Sequence, residues 1–133
     1  MNKYGKAAIR ATQLILSGEV SFVDEAWNIA ITENSTTKPK ACPRSAFLGL
    51  CEAGLIKGVQ QTHVNKPLRD DTNKNHAIEA VVLLSENDVF SSYTSLQLWR
   101  AIMKGNSKSH NFQMDVVLAL WNNSMINTLV TSK

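Results

Sequence analysis

The segment Cys42–Val59, CPRSAFLGLCEAGLIKGV, holds the start, body and stop of one α-helix. Pro43 suits a first helical turn, where its missing N–H costs nothing. Phe47, Leu50 and Cys51 recur at i, i+3, i+4, so one face is apolar. Gly54 stands where a left-handed residue ends a helix, and Leu55, Ile56 and Val59 carry the apolar signal past that stop. Two other helices are expected before this one. Tyr4, Ala7, Ala8, Ala11, Leu14 and Ile15 mark the first, over residues 4–17, ended by Gly18. Ser21 is the expected N-cap of the second, whose inner face is Val23, Ala26, Trp27 and Ala30.

After Val59 the period is lost. Gly58, Asn65, Pro67 and the pair Asp70–Asp71 read as an irregular linker over 57–72. Thr72 is the expected cap of a fourth helix carrying Ala77, Ala80, Val81 and Leu84. Residues 86–92 read as a turn. Leu98, Trp99 and Ile102 set the inner face of a fifth helix, stopped by Gly105. A sixth, expected to start near Asn111, has the cleanest apolar stripe: Met114, Val117, Leu118, Trp121 and Met125. Strand-like alternation is nowhere sustained. The fold class is therefore all-α, a six-helix arrangement in a single domain over 1–133, a length that can bury a sizeable core.

The two halves also resemble each other. Ala8, Ile9, Ala11 and Leu14 recur as Ala77, Ile78, Ala80 and Leu83. Trp27 recurs as Trp99. Leu48, Leu50 and Ile56 recur as Leu118, Leu120 and Ile126, with Gly49 answering to Ala119 and Gly54 to Ser124. This pattern predicts two three-helix units, 4–59 and 73–130, related by an approximate twofold and sharing one core. Gly49 and Ala119 are expected where the third and sixth helices approach each other.

Charge excludes some function classes. The net charge is +3 over the whole chain. Its excess sits around the linker, where Arg44, Lys57, Lys66, Arg69 and Lys74 face Glu52, Asp70 and Asp71. That is a bias and not the block of like charge of a nucleic-acid tail. No apolar run approaches the ~18 residues of a membrane span. Arg10 and Gln13 interrupt the apolar stretch near the N-terminus, which reads as a helix and not a signal peptide, so a cytoplasmic setting without membrane contact is expected. Cys42 and Cys51 lie about half a turn out of phase on one helix. They are expected to be buried, unreactive thiols.

Three groups of side chains are candidates for contact with something else. Arg44, Lys57, Lys66, Arg69 and Lys74 could meet an anion or a nucleic-acid backbone. Against that, the expected exposed faces of the third and sixth helices lack the Arg, Lys, Asn or Gln array that reads base edges, and Glu52 opposes phosphate. Arg44, His110, Asn111, Gln113 and Asp115 could form a polar pocket at a helix N-terminus. The competing reading is capping by Ser109 or Asn111 with a charge–dipole contribution from Asp115. Val89, Phe90 and Tyr93 form either an exposed apolar patch for a partner or a loop tucked onto the core.

No catalytic, cofactor or metal motif is present. His63, His76 and His110 have no i, i+4 partner, and there is no glycine-rich phosphate loop. The expectation is a non-enzymatic binding or accessory protein that engages a protein partner or a second copy of itself. Nucleic-acid binding through a helix-turn-helix-like unit and the basic linker is the alternative.

At CPRSAFLGLCEAGLIKGV, HNFQMDVVLALW and KYGKAAIRA the chain resembles a family of small, functionally uncharacterised bacterial proteins. The resemblance implies a small accessory gene product, in some members borne on mobile elements, and no catalytic residues. Family members have a more basic linker than THVNKPLRDDTNKNHA, a departure that weakens a phosphate-binding role for Lys66, Arg69 and Lys74.

Overall fold

A computed structural model describes residues 2–34, 40–106 and 108–127. Among these residues there are six α-helices: α1 (Lys3–Leu16), α2 (Val23–Asn34), α3 (Ala41–Glu52), α4 (Thr72–Glu86), α5 (Ser95–Met103) and α6 (Gln113–Asn122). Two short 3₁₀ turns, Gln61–His63 and Asp88–Ser92, lie in the linker and between α4 and α5. None of these helices is long and apolar enough to cross a membrane. The expected all-α class is what the chain forms.

Local chemistry sets the helix ends. Asn2 caps α1 by accepting from the Tyr4 and Gly5 N–H groups at 3.1 and 3.0 Å. Thr94 and Gln97 form a reciprocal capping box at the start of α5. Three starts differ from expectation. The Phe22 carbonyl accepts the bond from Ala26 N–H, so α2 begins after Phe22 and not directly after Ser21. Thr72 is the first residue of α4, and Asp70 accepts both its N–H and its hydroxyl. At α6, Phe112 takes a left-handed φ of 69°, and His110 Nε2 accepts the Met114 N–H at 3.1 Å. The imidazole thus replaces the expected Ser109 or Asn111 cap.

One core runs through the chain. It includes Trp27, Phe47, Leu50, Ile56, Leu84, Leu98, Met114 and Leu120. Trp27 stacks on Phe47 with ring centroids 5.4 Å apart, whereas Trp121 is only half-buried. Helix α1 packs on α2 and α6, while α3 packs on α4 and α6. Helices α3 and α6 therefore touch each other, and each is also covered by the first helix of the opposite half. Burial raises the pKa of the Cys51 thiol, but Cys42 is half-buried, since half a turn separates it from the inner face.

Gly49 lies elsewhere than expected. A Cβ there would stand 2.5 Å from Lys74 Cβ and 2.7 Å from Lys74 Cα. Its missing side chain lets α3 approach the start of α4 and not α6.

The ends of α3 and α6 share one hydrogen-bond pattern. Gly54 N–H reaches the Cys51 carbonyl and Leu55 N–H reaches Leu50; Ser124 and Met125 repeat this on Trp121 and Leu120. Gly54 has φ +74° and Ser124 φ +59°. Both helices thus end in the same left-handed turn, satisfying their last carbonyls. Beyond it Ile56 and Ile126 pair as an isolated antiparallel bridge.

Candidate functional site

Folding brings three of the five linker-region cations to one place. Arg44, Lys66 and Arg69 line a groove of about 340 Å³ together with Asp24, Ser45, Leu48, Pro67, Leu68 and Asp70. Asp24 comes from the first turn of α2, Arg44 and Ser45 from the start of α3, and the remainder largely from the segment leading into α4. None of the three cations is in an ion pair with a described residue. Asp24 Oδ1 is buried with no hydrogen-bond partner among the described residues. Asp70 is already committed, because the Thr72 hydroxyl and N–H hold its carboxyl below the usual range.

The other two cations are elsewhere. Lys74 Nζ lies 2.8 Å from Glu52 Oε1 in a partly buried ion pair. Desolvation works against ionised Glu52, but the Lys74 ammonium and the Leu68 N–H outweigh it and hold its pKa below the usual value. Lys57 is exposed, and its N–H donates to the Met125 carbonyl.

The expected polar pocket at the start of α6 is not assembled. Arg44 lines the groove above. Gln113 is buried, donating to Asn73 Oδ1 at 2.9 Å and accepting from Asn111 N–H at 2.7 Å. Asp115 accepts from the Ser95 hydroxyl at 2.6 Å. His110 instead sits 5.3 Å from Trp99, and His76 approaches the same indole at 5.0 Å. Burial pushes both imidazoles below their ordinary pKa; Lys108 adds to this at His76, while Asp115 opposes it at His110. His76 Nδ1 is buried without a hydrogen-bond partner among the described residues, and the indole N–H of Trp99 donates to the Lys108 carbonyl at 3.0 Å. Trp99 and His110 also line an open groove of about 600 Å³ with Leu96, Arg100, Met103 and Lys108.

The expected partner patch is divided. Phe90 and Tyr93 pack against the core and against each other, edge to face at 5.1 Å. Val89 alone of the three stands out, half-exposed. A second apolar feature lies between α4 and α5: a groove of about 210 Å³ floored by Ile78, Val82, Leu83 and Ile102 and flanked by Glu79, Glu86 and Lys104.

A model of a family of unknown function, DUF6979, matches residues 1–127. The chain belongs to this family. No curated protein and no solved structure matches the chain.

Two features of these sites were missed in the sequence. Asp24 reads as an ordinary charge in the first turn of a helix, and only the fold places it in one groove with Arg44 and Arg69. The His76–Trp99–His110 cluster joins residues 23 and 11 apart in the chain, a spacing that no local pattern flags. The α4 groove did carry a signal. Val82 is an apolar residue off the inner stripe of Ala77, Ala80, Val81 and Leu84, and it is exposed.

Proposed function

We propose that this family member is a binding protein without chemistry of its own, which associates with a second copy of itself through the groove between α4 and α5. The observation that carries the reading is the composition of that groove. Its floor is apolar, with Val82 exposed, and its flanks hold both signs of charge, Glu79 and Glu86 with Lys104. A twofold interface must be self-complementary, because the same patch meets itself. A patch with acid and base on its own rim satisfies that requirement, whereas a single-signed rim would repel its copy. Free Cys42 and Cys51 fit action in a reducing compartment such as the cytoplasm.

Sedimentation equilibrium over a wide concentration range tests the proposal. The expected result is a reversible dimer that Val82→Asp dissociates. Lys104→Glu should weaken it, and adding Glu86→Lys to that variant should restore it. A wild-type chain that stays monomeric throughout overturns the reading.

Nucleic-acid binding has one observation in its favour, the convergence of Arg44, Lys66 and Arg69. Asp24 and Asp70 in the same groove, and the capture of Lys74 by Glu52, count against it. Titration with a mixed-sequence duplex decides the matter: phosphate contacts would weaken steeply as salt rises.

A further inference from the structure

We infer that the groove between the starts of α2, α3 and α4 is a site for a small phosphate monoester that carries a hydrogen-bond donor next to its phosphate. Three observations combine. Arg44, Lys66 and Arg69 converge there without a carboxylate partner among the described residues. Their guanidinium forks and ammonium suit phosphate oxygens. The lining is drawn from the first turns of α2 and α3, where helix dipoles favour an anion. Lys40, the residue before α3, makes no side-chain cap bond, so Lys40 supplies no acceptor to the first N–H groups of that helix.

Asp24 defines the rest of the ligand. Its Oδ1 receives no hydrogen bond among the described residues, and Asp24 lines the groove, so it is an acceptor free to take a ligand donor. Asp70 Oδ1 is already taken by the Thr72 N–H and hydroxyl, so Asp24 is the carboxylate left to receive a ligand donor. Arg44, Lys66 and Arg69 outnumber the carboxylates of Asp24 and Asp70, so the groove keeps a net positive charge that favours an anion. A hydroxyl beside the phosphate then donates to Asp24. The cavity of about 340 Å³ lies at the small end of ligand sites, the size of a phosphorylated polyol and not of a polymer.

Calorimetric titration of the full chain at low salt, at a pH of about 7.5 where a phosphate monoester is mostly dianionic, tests this. The probes are glycerol 3-phosphate, inorganic phosphate and a mixed-sequence DNA duplex. Glycerol 3-phosphate should bind about tenfold more tightly than phosphate, the worth of one hydrogen bond to a charged acceptor. Arg69→Gln, on the exposed linker, should weaken both small anions, as should Arg44→Gln. Asp24→Ala should reduce glycerol 3-phosphate to the affinity of phosphate while tryptophan fluorescence still reports a folded chain. If Arg44→Gln does not fold, Arg69→Gln carries the test. Equal affinity for the two small anions overturns the inference, as does tighter binding of glycerol 3-phosphate by Asp24→Ala. Failure of both to bind, or duplex binding that glycerol 3-phosphate does not displace, overturns it too.

Discussion

Ile56 and Ile126 stand opposite each other across an antiparallel bridge, and the hydrogen bonds around them are reciprocal. Lys57 N–H donates to the Met125 carbonyl at 2.9 Å, and Asn127 N–H donates to the Leu55 carbonyl at 2.8 Å. Ile126 is the residue that the internal sequence pairing sets against Ile56. Both isoleucines are buried, so the bridge closes the core just past the ends of α3 and α6.

A double-mutant cycle on this pair should show coupling. Ile56→Ala and Ile126→Ala each should cost about 2–5 kcal/mol, as buried truncations do. Because the side chains belong to one bridge, the double variant should fall short of the sum by more than about 0.5 kcal/mol. Strict additivity in urea denaturation would mean that the two do not act together.

Gly49 admits no larger side chain without movement of α4. Gly49→Leu should lower stability by about 1–3 kcal/mol or more, the cost of overpacking. Gly49→Ala should already be destabilising, since the first added carbon meets the α4 backbone at Lys74. Melting curves that match wild type for both would contradict the contact.

The Lys74–Glu52 pair ties α4 to α3, and Glu52 also accepts the Leu68 N–H that holds the linker. Glu52→Ala leaves both donors unmatched. The side chains keep 21% and 17% of their exposure, so solvent screens part of the interaction. A loss of about 1–2 kcal/mol is expected. Chemical denaturation measures it, and proteolysis within 57–72 should quicken in the same variant.

His76 and His110 make stability depend on pH. Burial lowers both folded pKa values below the ordinary 6.5. Between that value and the lower folded one, the unfolded chain binds more protons than the folded chain. Their contribution is therefore fully present above about pH 6.5 and is lost as pH falls through the folded values. The melting temperature should drop on acidification in that window, and His76→Leu should flatten the drop. An unchanged profile in that variant would remove His76 as a cause.

Much of the architecture was legible because it is written in neighbouring residues. The 3.6-residue spacing of Tyr4, Ala8, Ala11 and Ile15, and of Leu98 and Ile102, reports burial directly, since a helix turns a fixed angle per residue. Glycine stops at Gly18 and Gly54 were equally plain, because a left-handed turn favours a residue without Cβ. Ser124 plays the part of Gly54 in the second half with a side chain present, so only the alignment with Gly54 hinted at its conformation.

Sequence by itself determined the helices, most of the core and the end of α3, each a matter of local geometry and solvent exclusion, whereas the apolar stripe ran on to Met125 past the end of α6 at Asn122. Tertiary structure alone decided which helices meet, that Gly49 faces Lys74, that His76 and His110 share Trp99, and that Asp24 joins Arg44, Lys66 and Arg69. Those contacts join residues distant in the chain. Burial tells a side chain to leave water, whereas its neighbours depend on how whole helices cross.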